Sequence, residues 1–209
     1  MDLKQFEKSP ILGILRGIEE HMIDPLVEAS LNARVQALEI TMNTNNAPLL
    51  IKKMKDASRG KLMIGAGTVL SLEEMHLAID AGATFIVMPV LVEEITSYCA
   101  KNNIPVFPGA YTPQEIYNAW NAGATMVKVF PAKFFGPGYL KEVKGPFSKI
   151  ELLACGGVDK NNIGSFFSNG ASAIAFGGSI FQKEWLKNQE YDKIENEMVA
   201  LIKGYHNRE

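Results

Sequence analysis

Eight short, near-continuous apolar runs separated by helical patterns are the feature that most constrains this chain. They are Ile11–Gly17, Val35–Met42, Leu62–Val69, Phe85–Val90, Val106–Ala110, Met126–Phe130, Ile150–Val158 and Ala173–Ile180. A strand wetted on one face alternates apolar and polar residues, whereas a strand covered on both faces does not. Most of these runs fail to alternate, so they read as parallel strands. Helix signals punctuate the gaps. Ser71-Leu72-Glu73-Glu74 and Thr112-Pro113-Gln114-Glu115 have the capping-box form, the second with proline at the first helical position. Gly82, Gly123 and Gly170 each close a helix before the next strand. A last helix, about Tyr191 to Tyr205, carries Ile194, Met198, Leu201 and Ile202 on one face.

Eight strands alternating with helices predict an α/β fold, a single (β/α)8 TIM barrel spanning residues 1–209 as one domain. A doubly wound open sheet is the rival. It calls for a glycine-rich dinucleotide loop after the first strand, and Arg16-Gly17-Ile18-Glu19-Glu20 is not one.

Composition excludes several function classes. The net charge is −2 with no dense basic cluster, which argues against nucleic-acid binding. No 18-residue apolar run and no signal-peptide pattern at Met1-Asp2-Leu3-Lys4 occur, so no membrane association and a cytoplasmic location are expected. Cys99 and Cys155 are too few for a disulfide framework. His21, His76 and His206 lack metal-ligand spacing, so no metal and no cofactor are expected.

A barrel gathers its chemistry at the C-terminal ends of its strands. Lys128 is the single charge in Met126-Val127-Lys128-Val129-Phe130-Pro131. Burial disfavours an ammonium, and a neutral amine attacks carbonyls to form a Schiff base. The ordinary alternative is a buried lysine held in an ion pair. Alternation puts Met126, Lys128 and Phe130 on one face and Val127 and Val129 on the other. Glu39 is the matching oddity in Ala37-Leu38-Glu39-Ile40-Thr41. It is either a salt-bridge partner of Lys128 or a general acid/base beside it. Arg16, inward with Leu12 and Ile14, suits a carboxylate or phosphate, or else is a rim arginine. Thr68 closes the third strand after Gly65-Ala66-Gly67, where its hydroxyl can bond a substrate oxygen.

Gly156-Gly157 follows the seventh strand, and Gly177-Gly178-Ser179 the eighth. Loops at these two positions build a recurrent phosphate site in this barrel. Glycine lets backbone N–H groups approach the anion. Pro89, Pro108 and Pro131 end strand runs and shape loops, and Pro89 is counted among the candidate substrate contacts. Phe130 is either a pocket wall or core. Cys155 reads as packing.

Together these segments are similar to the 2-keto-3-deoxy-6-phosphogluconate (KDPG) aldolase family, which includes the 4-hydroxy-2-oxoglutarate and 6-phosphogalactonate aldolases. The likeness covers nearly the whole chain. It is carried by Leu38-Glu39-Ile40-Thr41, Gly65-Ala66-Gly67-Thr68-Val69-Leu70, Pro105-Val106-Phe107-Pro108-Gly109, Lys128-Val129-Phe130-Pro131-Ala132 and Gly156-Gly157-Val158. The resemblance implies Lys128 as the Schiff-base lysine and Glu39 as the proton-transfer residue. It implies Thr68 at the pyruvate carboxylate and Gly157, Gly178 and Ser179 at the substrate phosphate. It also implies a metal-free homotrimer. Two positions depart from the gluconate branch. Asn43 stands where that branch has arginine, and Cys155 where it tends to have threonine. The galactonate branch looks similar at Asn43 and at Ile14-Leu15-Arg16-Gly17, which moves carboxylate recognition toward Arg16 and leaves Asn43 as a substrate contact.

The expected activity is that of a class I aldolase acting on a phosphorylated keto acid, with 4-hydroxy-2-oxoglutarate as a further substrate. A sugar-phosphate epimerase or isomerase on the same barrel would bind phosphate without an imine. A non-catalytic phosphate-binding barrel would show no turnover.

Overall fold

The structure, a computed structural model, describes residues 1–207. Its strands are β1 (Ile11–Leu15), β2 (Ala37–Thr41), β3 (Met63–Gly67), β4 (Ile86–Val87), β5 (Val106–Phe107), β6 (Gly109–Ala110), β7 (Val127–Val129), β8 (Leu152–Cys155) and β9 (Ala173–Phe176). The main helices are α1 (Leu3–Phe6), α2 (Ile23–Asn32), α3 (Ala47–Ser58), α4 (Leu72–Asp80), α5 (Glu93–Lys101), α6 (Pro113–Asn121), α7 (Pro137–Lys144), α8 (Ile163–Ser168), α9 (Lys183–Lys187) and α10 (Tyr191–His206).

Every strand pair is parallel, in the order β5-β4-β3-β2-β1-β9-β8-β7-β6. The order starts and ends on the two halves of one apolar run, because Pro108 divides that run into β5 and β6. Proline has no N–H to give to a ladder. Its carbonyl is still used, accepting from the Lys128 N–H at 2.9 Å. The nine segments therefore form the eight staves of a nearly closed (β/α)8 barrel, with the Pro108 kink at the seam.

Two apolar layers follow from the alternation of side chains along each strand. Leu12, Ala37, Val87, Phe107, Met126, Leu153, Ala173 and Ala175 fill the barrel interior, joined by Phe6 from α1. Leu38, Ile40, Val127, Val129, Leu152 and Ile174 face the helices. α10 buries Ile194, Met198, Leu201 and Ile202 as its periodicity predicts.

The caps hold with one change. Thr112 and Glu115 form the full reciprocal box, with Pro113 in the first turn of α6. At α4, Ser71 accepts from the Glu74 N–H at 3.1 Å, but the Glu74 carboxylate accepts from the Leu70 N–H at 2.7 Å instead of returning to Ser71. That helix has half of the expected box.

Gly109 shows how tightly the seam is built. A Cβ there would be driven into the backbone carbonyl of Pro89, which has no side-chain freedom with which to yield. Gly109→Ala is expected to cost about 1–3 kcal/mol through overpacking. That corresponds to a drop of roughly 2–4 °C in Tm per kcal/mol for a chain of this size. A thermal melt that matches the unsubstituted protein would show that the seam is looser than this packing implies.

Candidate active site

Two strands carry a buried charge as an exception to the apolar pattern. Lys128 is central in β7 and 6 % exposed; Glu39 is central in β2 and 1 % exposed. Both point into the barrel, since their strand neighbours Val127, Val129, Leu38 and Ile40 belong to the outer layer. Space for the carboxylate is made by a missing side chain. A Cβ on Gly67, at the end of β3, would collide with the Glu39 carboxylate. β2 and β3 are in register with Thr41 beside Gly67, so the acid leans across its own sheet toward the gap.

Neither Glu39 carboxylate oxygen has a hydrogen-bond partner within the protein, and no direct ion pair joins Glu39 to Lys128 among the described residues. The salt-bridge alternative for this pair is therefore not what the geometry shows. Desolvation pushes the Glu39 carboxyl above its ordinary range, opposed by the charges of Lys128 and Arg16. A fully buried acid with idle oxygens is costly to a fold, and such costs concentrate at functional sites.

A cavity of about 310 Å³ opens over this end of the barrel. Its lining includes Ile14, Arg16, Phe130, Cys155, Gly156, Gly157, Gly178 and Ser179. Lys128 and Glu39 are not themselves part of that lining. Lys128 connects to it through two neighbours. Its Nζ lies 5.3 Å from the centre of the Phe130 ring, and its charge is close enough to act on the Cys155 thiol. Burial raises the Cys155 thiol above its ordinary range, so it stays protonated at neutral pH. Cys155 is buried in the inner apolar layer, as packing requires, with the Lys128 charge nearby.

Phe130 is 39 % exposed and follows β7 rather than ending it. It is a wall, not core, and it is a wall twice. A second cavity of about 310 Å³ on its other side is lined by Pro89, Gly109, Tyr111, Glu115 and Asn118. Pro89 therefore sits at the mouth but apart from the glycine loops.

Arg16 is exposed at the rim and reaches across the end of β2, donating to the Thr68 hydroxyl at 3.3 Å. Thr68 lies one residue beyond β3, not within it, in a left-handed conformation at φ +54°. That conformation is unfavourable for a branched residue. Thr44, which sequence reasoning did not single out, ties the ends of β1 and β2 together. Its hydroxyl accepts from the Gly17 N–H at 3.0 Å and lies 3.0 Å from the Thr41 hydroxyl. A buried threonine after a strand carries no sequence signal of its own. Asn43 is exposed in the same turn and does not line the cavity.

The Gly156-Gly157 loop has backbone that only glycine adopts readily, and among the described residues both glycine loops have N–H groups left free. Gly156 and Gly157 adopt φ values of +95° and +82°, open to glycine but strained for other residues. Among the described residues, the backbone N–H groups of Gly157, Gly178 and Ser179 have no acceptor in the protein. The Ser179 hydroxyl donates to the Val158 carbonyl at 3.0 Å, which ties the two loops together.

Comparison with known proteins gives the family. The KDPG and KHG aldolase family matches residues 3–197. The 2-dehydro-3-deoxy-6-phosphogalactonate aldolase of Escherichia coli is 31 % identical over 199 residues, covering 95 % of each chain. The 2-dehydro-3-deoxy-phosphogluconate aldolase of Haemophilus influenzae is 32 % identical over 184 residues, covering 86 % of each. The crystal structure of KDPG aldolase from Legionella pneumophila, with pyruvate captured as a covalent carbinolamine, superposes with a TM-score of 0.86 at 26 % identity, covering 94 % of this chain and 95 % of that one. This chain belongs to the KDPG and KHG aldolase family and is an aldolase, a carbon–carbon lyase.

Proposed function

We propose that this chain is a class I aldolase that cleaves a 2-keto-3-deoxy-6-phospho sugar acid to pyruvate and glyceraldehyde 3-phosphate. The observation that carries the reading is the buried Lys128 facing the same interior as a buried, unpartnered Glu39. The Lys128 amine adds to the C2 ketone, and the carbinolamine loses water to give an iminium. The Glu39 carboxylate, through a water, takes the proton from the C4 hydroxyl. The C3–C4 electrons pass into the iminium, glyceraldehyde 3-phosphate leaves, and an enamine remains. Glu39 returns a proton to C3, and water hydrolyses the imine to release pyruvate. A carboxyl raised by desolvation suits both directions of transfer near neutral pH.

Arg16 and Thr68, already hydrogen-bonded to each other, receive the carboxylate end of the substrate. The N–H groups of Gly157, Gly178 and Ser179 receive its phosphate. Gly156 shapes that loop, while Phe130 and Pro89 wall the approach. The pairing of Arg16 with Thr68, and the position of Asn43 outside the cavity, favour the galactonate epimer. 4-Hydroxy-2-oxoglutarate, cleaved to pyruvate and glyoxylate, is a secondary substrate. The chain works as one barrel domain in a cytoplasmic homotrimer. In support, no helix among the described residues is long and apolar enough to cross a membrane.

Borohydride reduction in the presence of pyruvate is expected to leave a single adduct of the reduced imine, mapped to Lys128 by peptide mass spectrometry. Intact sugar-phosphate turnover with no adduct would favour an epimerase or isomerase. Phosphate binding with neither would leave a binding barrel.

A further inference from the structure

We infer that Lys183, at the start of α9, is the residue that makes this site select phosphorylated keto acids over unphosphorylated ones. The inference rests on the aldolase reading above. Lys183 lines the cavity together with Gly156, Gly157, Gly178 and Ser179. Among the described residues its ammonium makes no ion pair and no hydrogen bond within the protein.

The loops alone are short of charge. A phosphate ester carries about −1.5 to −2 at neutral pH. The loops offer N–H dipoles, and the one proton of the Ser179 hydroxyl is already donated to Val158. Lys133 is the other cation near these glycines. Its stem packs against Gly157, its Nζ is 5.0 Å from the centre of the Phe134 ring, and it does not line the cavity. Arg16 lines the cavity but is engaged with Thr68. Among the described residues no acidic side chain lines the cavity, so none of them competes there for the Lys183 ammonium. The cavity thus presents two cations to a substrate with two anionic ends, and Lys183 is the one that belongs to the phosphate loops. Being exposed, it is a flexible point charge that selects by charge and not by shape.

The test compares Lys183→Met and Lys183→Arg with the unsubstituted enzyme. The methionine variant is expected to raise KM for the phosphorylated six-carbon keto acid roughly 10-fold or more, with little change in kcat. Inhibition by inorganic phosphate should weaken in parallel. The pyruvate concentration that half-saturates borohydride trapping should not move, because pyruvate has no phosphate. Lys183→Arg should restore the KM. An unchanged KM in Lys183→Met, or an equal loss in pyruvate trapping, would overturn the assignment. Failure of the underlying aldolase reading would look different, because the unsubstituted enzyme itself would then neither trap pyruvate nor cleave the keto acid.

Discussion

Lys128→Met is expected to lower turnover by roughly 10⁴-fold or more, the scale seen when a covalent nucleophile is removed. The same variant should give no pyruvate adduct on borohydride reduction. Its stability should move the other way. Lys128 is 6 % exposed and sits among Met126, Phe107 and Leu153 of the inner layer. Holding an unpaired ammonium in an apolar layer carries a desolvation cost, and an apolar side chain of similar volume removes it. The melting temperature of Lys128→Met should therefore be equal or higher. The combination is diagnostic. A structural lysine would lose stability on replacement and keep its chemistry; a catalytic one should show the opposite. Turnover within tenfold of the unsubstituted enzyme would remove Lys128 from the mechanism.

Glu39→Gln should cost roughly 10²–10⁴-fold in turnover while leaving the fold intact, since glutamine preserves the shape over Gly67 and removes only the proton exchange. Its effect on stability depends on pH, and the sign can be worked out. Desolvation raises the Glu39 carboxyl above its ordinary value of 4.5 in the folded protein. The folded state then holds a proton that the unfolded chain has released. By linkage, the contribution of this group to stability is full below the unfolded value and is lost as pH rises through the raised folded value. Glutamine does not titrate. Relative to the unsubstituted protein, Glu39→Gln should gain stability as pH rises above the ordinary carboxyl value of 4.5, until it passes the raised folded value, measured by urea denaturation at each pH. A difference that is constant with pH would mean that the Glu39 carboxyl titrates alike in both states.

The same two residues show why the fold was easier to read than the site. Continuous apolar runs such as Leu152–Cys155 and Ala173–Phe176 declare parallel strands because both of their faces must be covered. Proline and glycine declared most of the boundaries. Pro108 was visible too, but its effect on the barrel was not. A missing N–H becomes a seam only when the neighbouring strands are known, and these are β4 on one side and β7 on the other. Glu74 misled in a smaller way. The spacing of the capping box is local, but the carboxylate had a second donor, the Leu70 N–H, within reach.

For the site, Lys128 and Glu39 stood out because a charge in an apolar strand is costly and needs a reason. Arg16, Thr68 and the glycine loops followed from their places at strand ends. Lys183, Thr44 and the nearness of Cys155 to the Lys128 charge had no such mark. An exposed lysine, a threonine in a turn and a cysteine in a strand are all ordinary in sequence. What distinguishes them is proximity, and proximity between residues far apart in the chain is decided by closure of the barrel. Sequence by itself determined the strands, the direction in which their side chains point and the two buried charges, because these depend on local periodicity and on the cost of burial. The tertiary structure decided that Glu39 and Lys128 are not paired among the described residues, that Phe130 divides the mouth, and that Lys183 lines the cavity with the glycine loops. Each of those facts depends on distances across the barrel that no local pattern encodes.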